Sequence, residues 1–204
     1  MRFIVGIFVC TLSIAAADVA SDFISEEIVP DALDTAPNQL ISLAYKGKAV
    51  KFGEELLPTD VIEQPTLEWN VADPSSYYTL IMTNIDPSSR QKPIYREFLH
   101  WLVVNVPGDD VSKGETIAEY VGAGPPKNGG VHRMLFTVYK QPDKLTFTEA
   151  FMHNRQLGIR LRFSQKNYSD KYNLGDPVAG MMYTSRYDDY VPQLHSEFMK
   201  GVRV

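Results

Sequence analysis

The sequence predicts an all-β domain with a few peripheral helices, and three observations carry that prediction. Its apolar runs are short and are cut by turn formers, as in the strands of a sandwich. Thirteen Gly and thirteen Pro supply the turns, and eleven Tyr favour extended backbone. Apolar residues at helical spacing stand out only near the C-terminus. The 204 residues fit one domain, and a chain of that length buries roughly 70% of its unfolded surface without a staple. Hydrophobic residues at 44% and charged residues at 22% are ordinary globular usage rather than the bias of a disordered chain. Twenty-five acidic against twenty basic residues, a net of −5, argue against nucleic acid as the main partner.

Residues 1–17 read as a secretory signal peptide. Arg2 is a one-charge start, Phe3 to Ala17 is apolar or small, and Ala15 and Ala17 fit a small-x-small cleavage site. The apolar stretch is shorter than the ~20 residues of a membrane span, and no later stretch is long enough either. Removing the leader takes Arg2 and Cys10, so the net charge moves from −5 to −6 and no thiol remains. Thiol chemistry, disulfides and cysteine-ligated metals are thereby excluded from the remaining domain, residues 18–204. Residues 18–38 read as one short helix and a linker, with apolar Phe23, Ile24, Ile28 and Val29. Leu40 to Tyr45 alternates as a half-buried strand does, and Thr66 to Val71 does so less cleanly. Tyr77 to Ile85, bracketed by Asp73-Pro74 and Asp86-Pro87, is rich in aromatic and β-branched residues. Phe98 to Val106 is nearly continuous apolar and reads as a strand buried on both faces. Met134 to Tyr139 is a second such run. Gly158 to Phe163 alternates, and Val178 to Thr184 is a last strand. Tyr187 to Met199 is helical, with Val191, Leu194 and Phe198 at i, i+3 and i+7, and Asp188 or Asp189 as its N-cap. Six to eight strands result, arranged as a β-sandwich.

Chemistry-bearing residues gather in two segments. His100 lies mid-strand, where alternation puts Phe98, His100 and Leu102 on one face. It is either a core histidine bonded to backbone or the polar floor of a pocket. His132 opens a strand after a loop containing Gly122, Gly124 and Pro125. Those glycines either serve turn geometry or let backbone N–H groups cradle an anion. Asp86 is an Asx-turn cap or a pocket carboxylate. Asp86, His100 and His132 have the donor types of a two-histidine, one-carboxylate metal site, though nothing in their spacing enforces one, so no metal or cofactor is expected. No G-x-S-x-G, H-E-x-x-H, P-loop or G-x-G-x-x-G occurs, so the protein is expected not to be an enzyme. Asn167-Tyr168-Ser169 is the single N-x-S/T sequon, either a glycan acceptor or an unmodified surface site.

Taken in order, Asp86-Pro-Ser-Ser-Arg90, Tyr95-Arg-Glu-Phe-Leu-His100-Trp-Leu-Val-Val-Asn105, Gly122-Ala-Gly-Pro-Pro126, Gly130-Val-His-Arg133, Pro177-Val-Ala-Gly180 and Asp188-Asp-Tyr-Val-Pro192 resemble the phosphatidylethanolamine-binding protein (Raf kinase inhibitor protein-like) family. The leader points to a secreted animal branch. The resemblance implies a Greek-key β-sandwich whose small cavity binds phosphate and phospholipid head groups. By position it would be lined by Asn84, Asp86, Phe98, His100, Gly122, Gly124, Pro125, His132, Met134 and Tyr190. Four positions depart from the family pattern. Asn84 stands for an aspartate, Ser88 for a proline, Phe98 for a tryptophan and Met134 for a tyrosine. The cavity becomes less acidic and more apolar, and loss of the carboxylate lowers the histidine pKa values. The expected function is a secreted, non-catalytic binder of a phospholipid head group or other small phosphate-bearing or apolar ligand. The alternative is an extracellular inhibitor of a serine protease or signalling protein acting through protein–protein contact.

Overall fold

The computed structural model describes residues 10–70 and 72–201. The elements are α1 (Cys10–Ser25), α2 (Ile28–Asp31), β1 (Ser42–Tyr45), β2 (Lys48–Ala49), β3 (Thr66–Glu68), β4 (Tyr77–Asn84), β5 (Phe98–Pro107), β6 (Glu115–Ala118), β7 (His132–Lys140), α3 (Gln165–Tyr172), β8 (Ala179–Ser185) and α4 (Val191–Gly201). Residues 1–9 of the predicted leader, and Val71, lie outside the described residues.

Five antiparallel strands form one sheet in the order β6-β5-β4-β7-β8, and β2-β1-β3 form a second. Strands β4, β5 and β6 follow one another as neighbours, and β7 returns to lie beside β4, which is a Greek key. The large sheet is buried on both faces, which explains its continuous apolar runs. Toward the small sheet, Leu80, Met82, Trp101, Val103, Phe136 and Val138 meet Ile41, Leu43, Tyr45 and Trp69. On the other face, Ile81, Leu102, Val104 and Tyr139 pack under Tyr168 and Leu174. Ile85, Leu135 and Met182 on that face are covered by Phe23, Ile28 and Leu33.

Residues 18–38 thus hold two helical pieces rather than one, and Ile24, 58% exposed, takes no part in the core. The strand expected over Gly158 to Phe163 is not formed. Gly158–Arg160 is a 3-10 turn, only Leu161 bridges to the sheet, at Phe98, and Arg162 sits at φ 60. Arg160 explains this. It is fully buried and donates to the carbonyls of Leu99, His100, Glu119, Met152 and His153, at 2.9–3.2 Å. Five carbonyl bonds fix the chain more firmly than a two-residue ladder at a sheet end. The short β2 and β6 and the polar helix α3 have too little apolar periodicity to be read from sequence.

Candidate functional site

The site begins with a defect in β5. Met82 pairs with Trp101 and Thr83 with Leu99, so His100 is the extra residue of a β-bulge. The bulge breaks the simple alternation that would put Phe98, His100 and Leu102 on one face. Leu102 joins the core beneath α3, whereas Phe98 and His100 turn together toward a cavity, ring centroids 4.7 Å apart.

His100 then positions the loop that follows β6. Its carbonyl accepts the Val121 N–H at 3.0 Å, and its Nδ1 donates to the Val121 carbonyl at 2.7 Å. Because Nδ1 carries the proton, Nε2 is the lone-pair nitrogen of the neutral ring. Burial pushes the His100 pKa down to about 3, with Arg160 and His132 adding to the shift against the Val121 bond. The ring is therefore neutral at physiological pH.

His132 is fixed from the other side. Asn84 Oδ1 accepts the Asp86 N–H at 2.9 Å, which turns the Asn84 amide nitrogen toward His132 Nδ1, also at 2.9 Å. Nδ1 is then an acceptor and Nε2 bears the proton. Nε2 is sealed from solvent and meets no partner in bonding geometry, yet the Gly129 and Ser88 backbones lie close enough to favour protonation. Burial outweighs them and the nearby Asp86, and lowers the pKa. Ser88 holds a left-handed φ of 81, next to this ring.

The cavity measures ≈ 130 Å³. Six residues expected from sequence come together in its wall: Asn84, Phe98, His100, Gly122, Gly124 and His132. Four do not. Asp86 is fully buried and accepts the Arg133 N–H, Nε and Nη2 at 2.7–3.0 Å, with Arg96 Nη2 at 3.3 Å. It anchors an ion network with Asp31, whose carboxylate meets both arginines. Met134 lies in the inter-sheet core with Phe136. Tyr190 packs, partly buried, against the cluster of Phe98 and Leu194. Pro126, rather than Pro125, reaches the rim.

The glycines have specific reasons. A side chain at Gly122 would put its Cβ 2.3 Å from the Val61 carbonyl oxygen. One at Gly124 would meet Leu194 Cδ2 at 2.7 Å. Gly122 thus serves close backbone packing, and Gly124 seats α4. That helix closes the cavity with Leu194, His195 and Phe198, none of which the sequence pattern assigned to the site. The apolar stripe of α4 was visible, but its target was not. His195 Nε2 latches the helix to the Gly124 carbonyl at 3.0 Å. Asp188 accepts the Tyr190 N–H just ahead of α4. Asn167 is exposed on the first turn of α3, and Ser169 is buried with its hydroxyl on the Gly175 carbonyl. Among the described residues no group of three His, Cys, Asp or Glu is placed to hold a metal ion.

Comparison with known proteins agrees with this fold. The family described as "Phosphatidylethanolamine-binding protein" matches residues 34–173. The chain belongs to the phosphatidylethanolamine-binding protein family. It is 44% identical over 169 residues to a Drosophila melanogaster protein named "Putative odorant-binding protein A5", covering 82% of this chain and 80% of that one. A solution structure titled "CG7054" is 42% identical, covers 84% of this chain and 97% of its own, and superposes with a TM-score of 0.70. A carboxypeptidase Y inhibitor, solved with its cognate proteinase, shares the fold at TM-score 0.73 and 20% identity, over 85% of this chain and 97% of its own. Within the family, the departures at Asn84 and Phe98 fall in the cavity wall, and that at Ser88 falls on its rim. The departure at Met134 falls behind the wall.

Proposed function

We propose that this protein is a secreted, non-catalytic carrier that holds one small ligand in the cavity beneath α4. The cavity itself carries the reading: a ≈ 130 Å³ space with Phe98, Leu194 and Phe198 as apolar wall and the fixed His100 ring as polar point. It suits a head group or a compact small molecule and leaves acyl chains outside. The groups that a catalyst would draw on are engaged elsewhere. Asp86 holds Arg133, His100 Nδ1 holds Val121, and His132 Nδ1 receives Asn84. Secretion is supported by the leader-like residues 1–17 and by likeness to a relative named as odorant-binding. Among the described residues no helix is long and apolar enough to cross a membrane.

Native mass spectrometry of the protein secreted from eukaryotic cells tests this. The expected result is one saturable ligand per chain from a panel of phosphorylethanolamine, inorganic phosphate and small apolar compounds. Introducing Phe198→Ala on α4 weakens it by opening the wall. A protein that binds none of the panel removes the carrier reading.

A further inference from the structure

We propose that the groove between strand β3 and the β5–β6 turn docks an extended, basic segment of a partner protein, which pairs with β3 as an added strand. The groove shares no residue with the cavity beneath α4, so this surface is independent of the carrier reading. A strand edge, an apolar floor and a charge lead to it.

The edge follows from register. Tyr45 pairs with Lys48 across a two-residue turn, and the Val50 N–H donates to the Leu43 carbonyl at 2.8 Å. Tyr45 and Leu43 therefore turn their backbone groups toward β2. Ser42 and Ala44 turn theirs toward β3, opposite Glu68 and Thr66. Leu67, opposite Leu43, is left with its N–H and C=O directed away from β1. Strand β3 lies at the edge of its sheet, and no described residue bonds to these two groups. An open edge of this kind is a template for one more strand.

The floor is apolar. Beside β3 the groove opens over Leu67, Trp101, Val103, Val111 and Tyr120, and Phe151, 46% exposed, stands in its wall. Its volume of ≈ 930 Å³ is at the top of the range for small-molecule sites. An added strand would turn alternate side chains toward this floor, as β3 turns Leu67, and the others outward beside Thr66 and Glu68.

Charge sets the chemistry of the partner. Glu68, Asp109, Asp110 and Glu119 border the groove, and no Lys or Arg does. Asp110 is paired with Lys113 at 2.7 Å, and Glu119 accepts the Asn154 N–H at 2.9 Å. Glu68 and Asp109 are exposed and meet no cation among the described residues. A second copy docked edge to edge would set these carboxylates against their own copies, and an anionic partner would be repelled. A strand with Lys or Arg at alternate positions is the complement, its cations beside Glu68 and Asp109 and its apolar residues on the floor.

The test is a heteronuclear NMR titration of the protein at pH 7 with a capped seven-residue peptide of alternating lysine and valine. Saturable binding is expected, with amide shifts concentrated at Thr66, Leu67, Glu68 and Gly114. Glu68→Lys plus Asp109→Lys should weaken it at least about tenfold by reversing two charge pairs. Both residues are exposed and unpaired, so this variant keeps the fold. The companion Asp170→Lys plus Asp176→Lys makes the same change of net charge at exposed positions outside the groove. It should leave affinity within about twofold. N-methylation of the central peptide residues should weaken binding about fivefold for each hydrogen bond lost. Equal losses in the two double variants overturn the site, and an unaffected N-methylated peptide overturns strand addition. A glutamate–valine peptide that binds as tightly as the lysine peptide overturns the charge complementarity. Lysine amide binding as tightly as the whole peptide would make the groove a small-cation site and overturn the peptide partner. Absence of saturable binding by the lysine peptide overturns the proposal while leaving the carrier reading intact.

Discussion

His100 shows how one residue organises a site. As a bulge residue it gives up its ladder partner, and its carbonyl and Nδ1 bind the two backbone groups of Val121 instead. Its proton balance makes a sharp prediction. The folded pKa of about 3 lies below the usual 6.5, so between these values the unfolded chain binds a proton that the native chain refuses. Stability from neutral His100 is complete above 6.5 and is lost as pH falls toward 3, by up to about 1.4 kcal/mol per pH unit. His132 acts in the same direction. Glu97, buried and raised above 4.5, opposes both, since its native form favours the proton as pH rises through that higher window. Urea unfolding across pH 4 to 8 should therefore show stability falling toward acid, and a slope flattened by about one proton in His100→Phe. Identical slopes would place the titration elsewhere. Asp86 makes the second residue-scale case. Asp86→Asn keeps the shape but leaves the buried Arg133 guanidinium with only the partly exposed Asp31. The expected cost is about 3 kcal/mol by denaturant unfolding, the low end for a broken buried pair. Both histidines stood out in the sequence as candidates for a site, and the structure puts both against one cavity. The bulge was not legible, because it depends on register with β4, and Asp86 was misplaced because its partner lies 47 residues away.

At the scale of elements, the cavity is the meeting of a strand end, a loop and a helix. The strands β4, β5 and β7 were readable because each is buried on two faces and so is apolar throughout. Helix α4 was readable from Val191, Leu194 and Phe198, which are all buried as its spacing requires. What covers what was not readable, since periodicity reports a face and not its partner. The two loop glycines separate packing from function. Gly122→Ala drives Cβ into the Val61 backbone, which has no freedom to yield, and should cost about 2–3 kcal/mol. Gly124→Ala meets only the far end of Leu194, a side chain that can rotate. Thermal unfolding should show it within about 1 kcal/mol of the parent. Its ligand affinity should nevertheless fall, because the Leu194 side chain that must turn aside lines the cavity. A Gly124→Ala protein that binds as the parent does would mean that α4 is not the closing wall.

Across the whole molecule, the N-terminal segment is part of the domain and not a tail. Phe23 and Ile28 are completely buried and Leu33 is 4% exposed, over Ile85, Leu135 and Met182. Gly180 leaves the space for Phe23, whose ring would lie 2.8 Å from a Cβ there. Three arginines clamp the same segment. Arg133 Nη1 donates to the Glu26 carbonyl at 2.6 Å, Arg90 pairs with Glu27 at 2.9 Å, and Arg96 with Asp31 at 3.0 Å. Phe23, Ile28 and Leu33 all lie beyond Ala17, so cleavage there leaves their cover of the sheet in place. A protein beginning at Asp18 should keep its full stability, whereas one beginning at Glu27 loses Phe23 and the Glu26 carbonyl together. Loss of a buried phenylalanine alone costs about 3–5 kcal/mol, or roughly 10 °C in Tm for a chain of this size. The damage should also reach the cavity, because Arg133 follows His132 directly and is held from the N-terminal side. Scanning calorimetry of the two forms, beside native mass spectrometry with the ligand panel, measures both effects. Equal melting temperatures would show that the segment only rests on the sheet. A large drop with intact ligand binding would show that the clamp stabilises the fold without setting the position of His132.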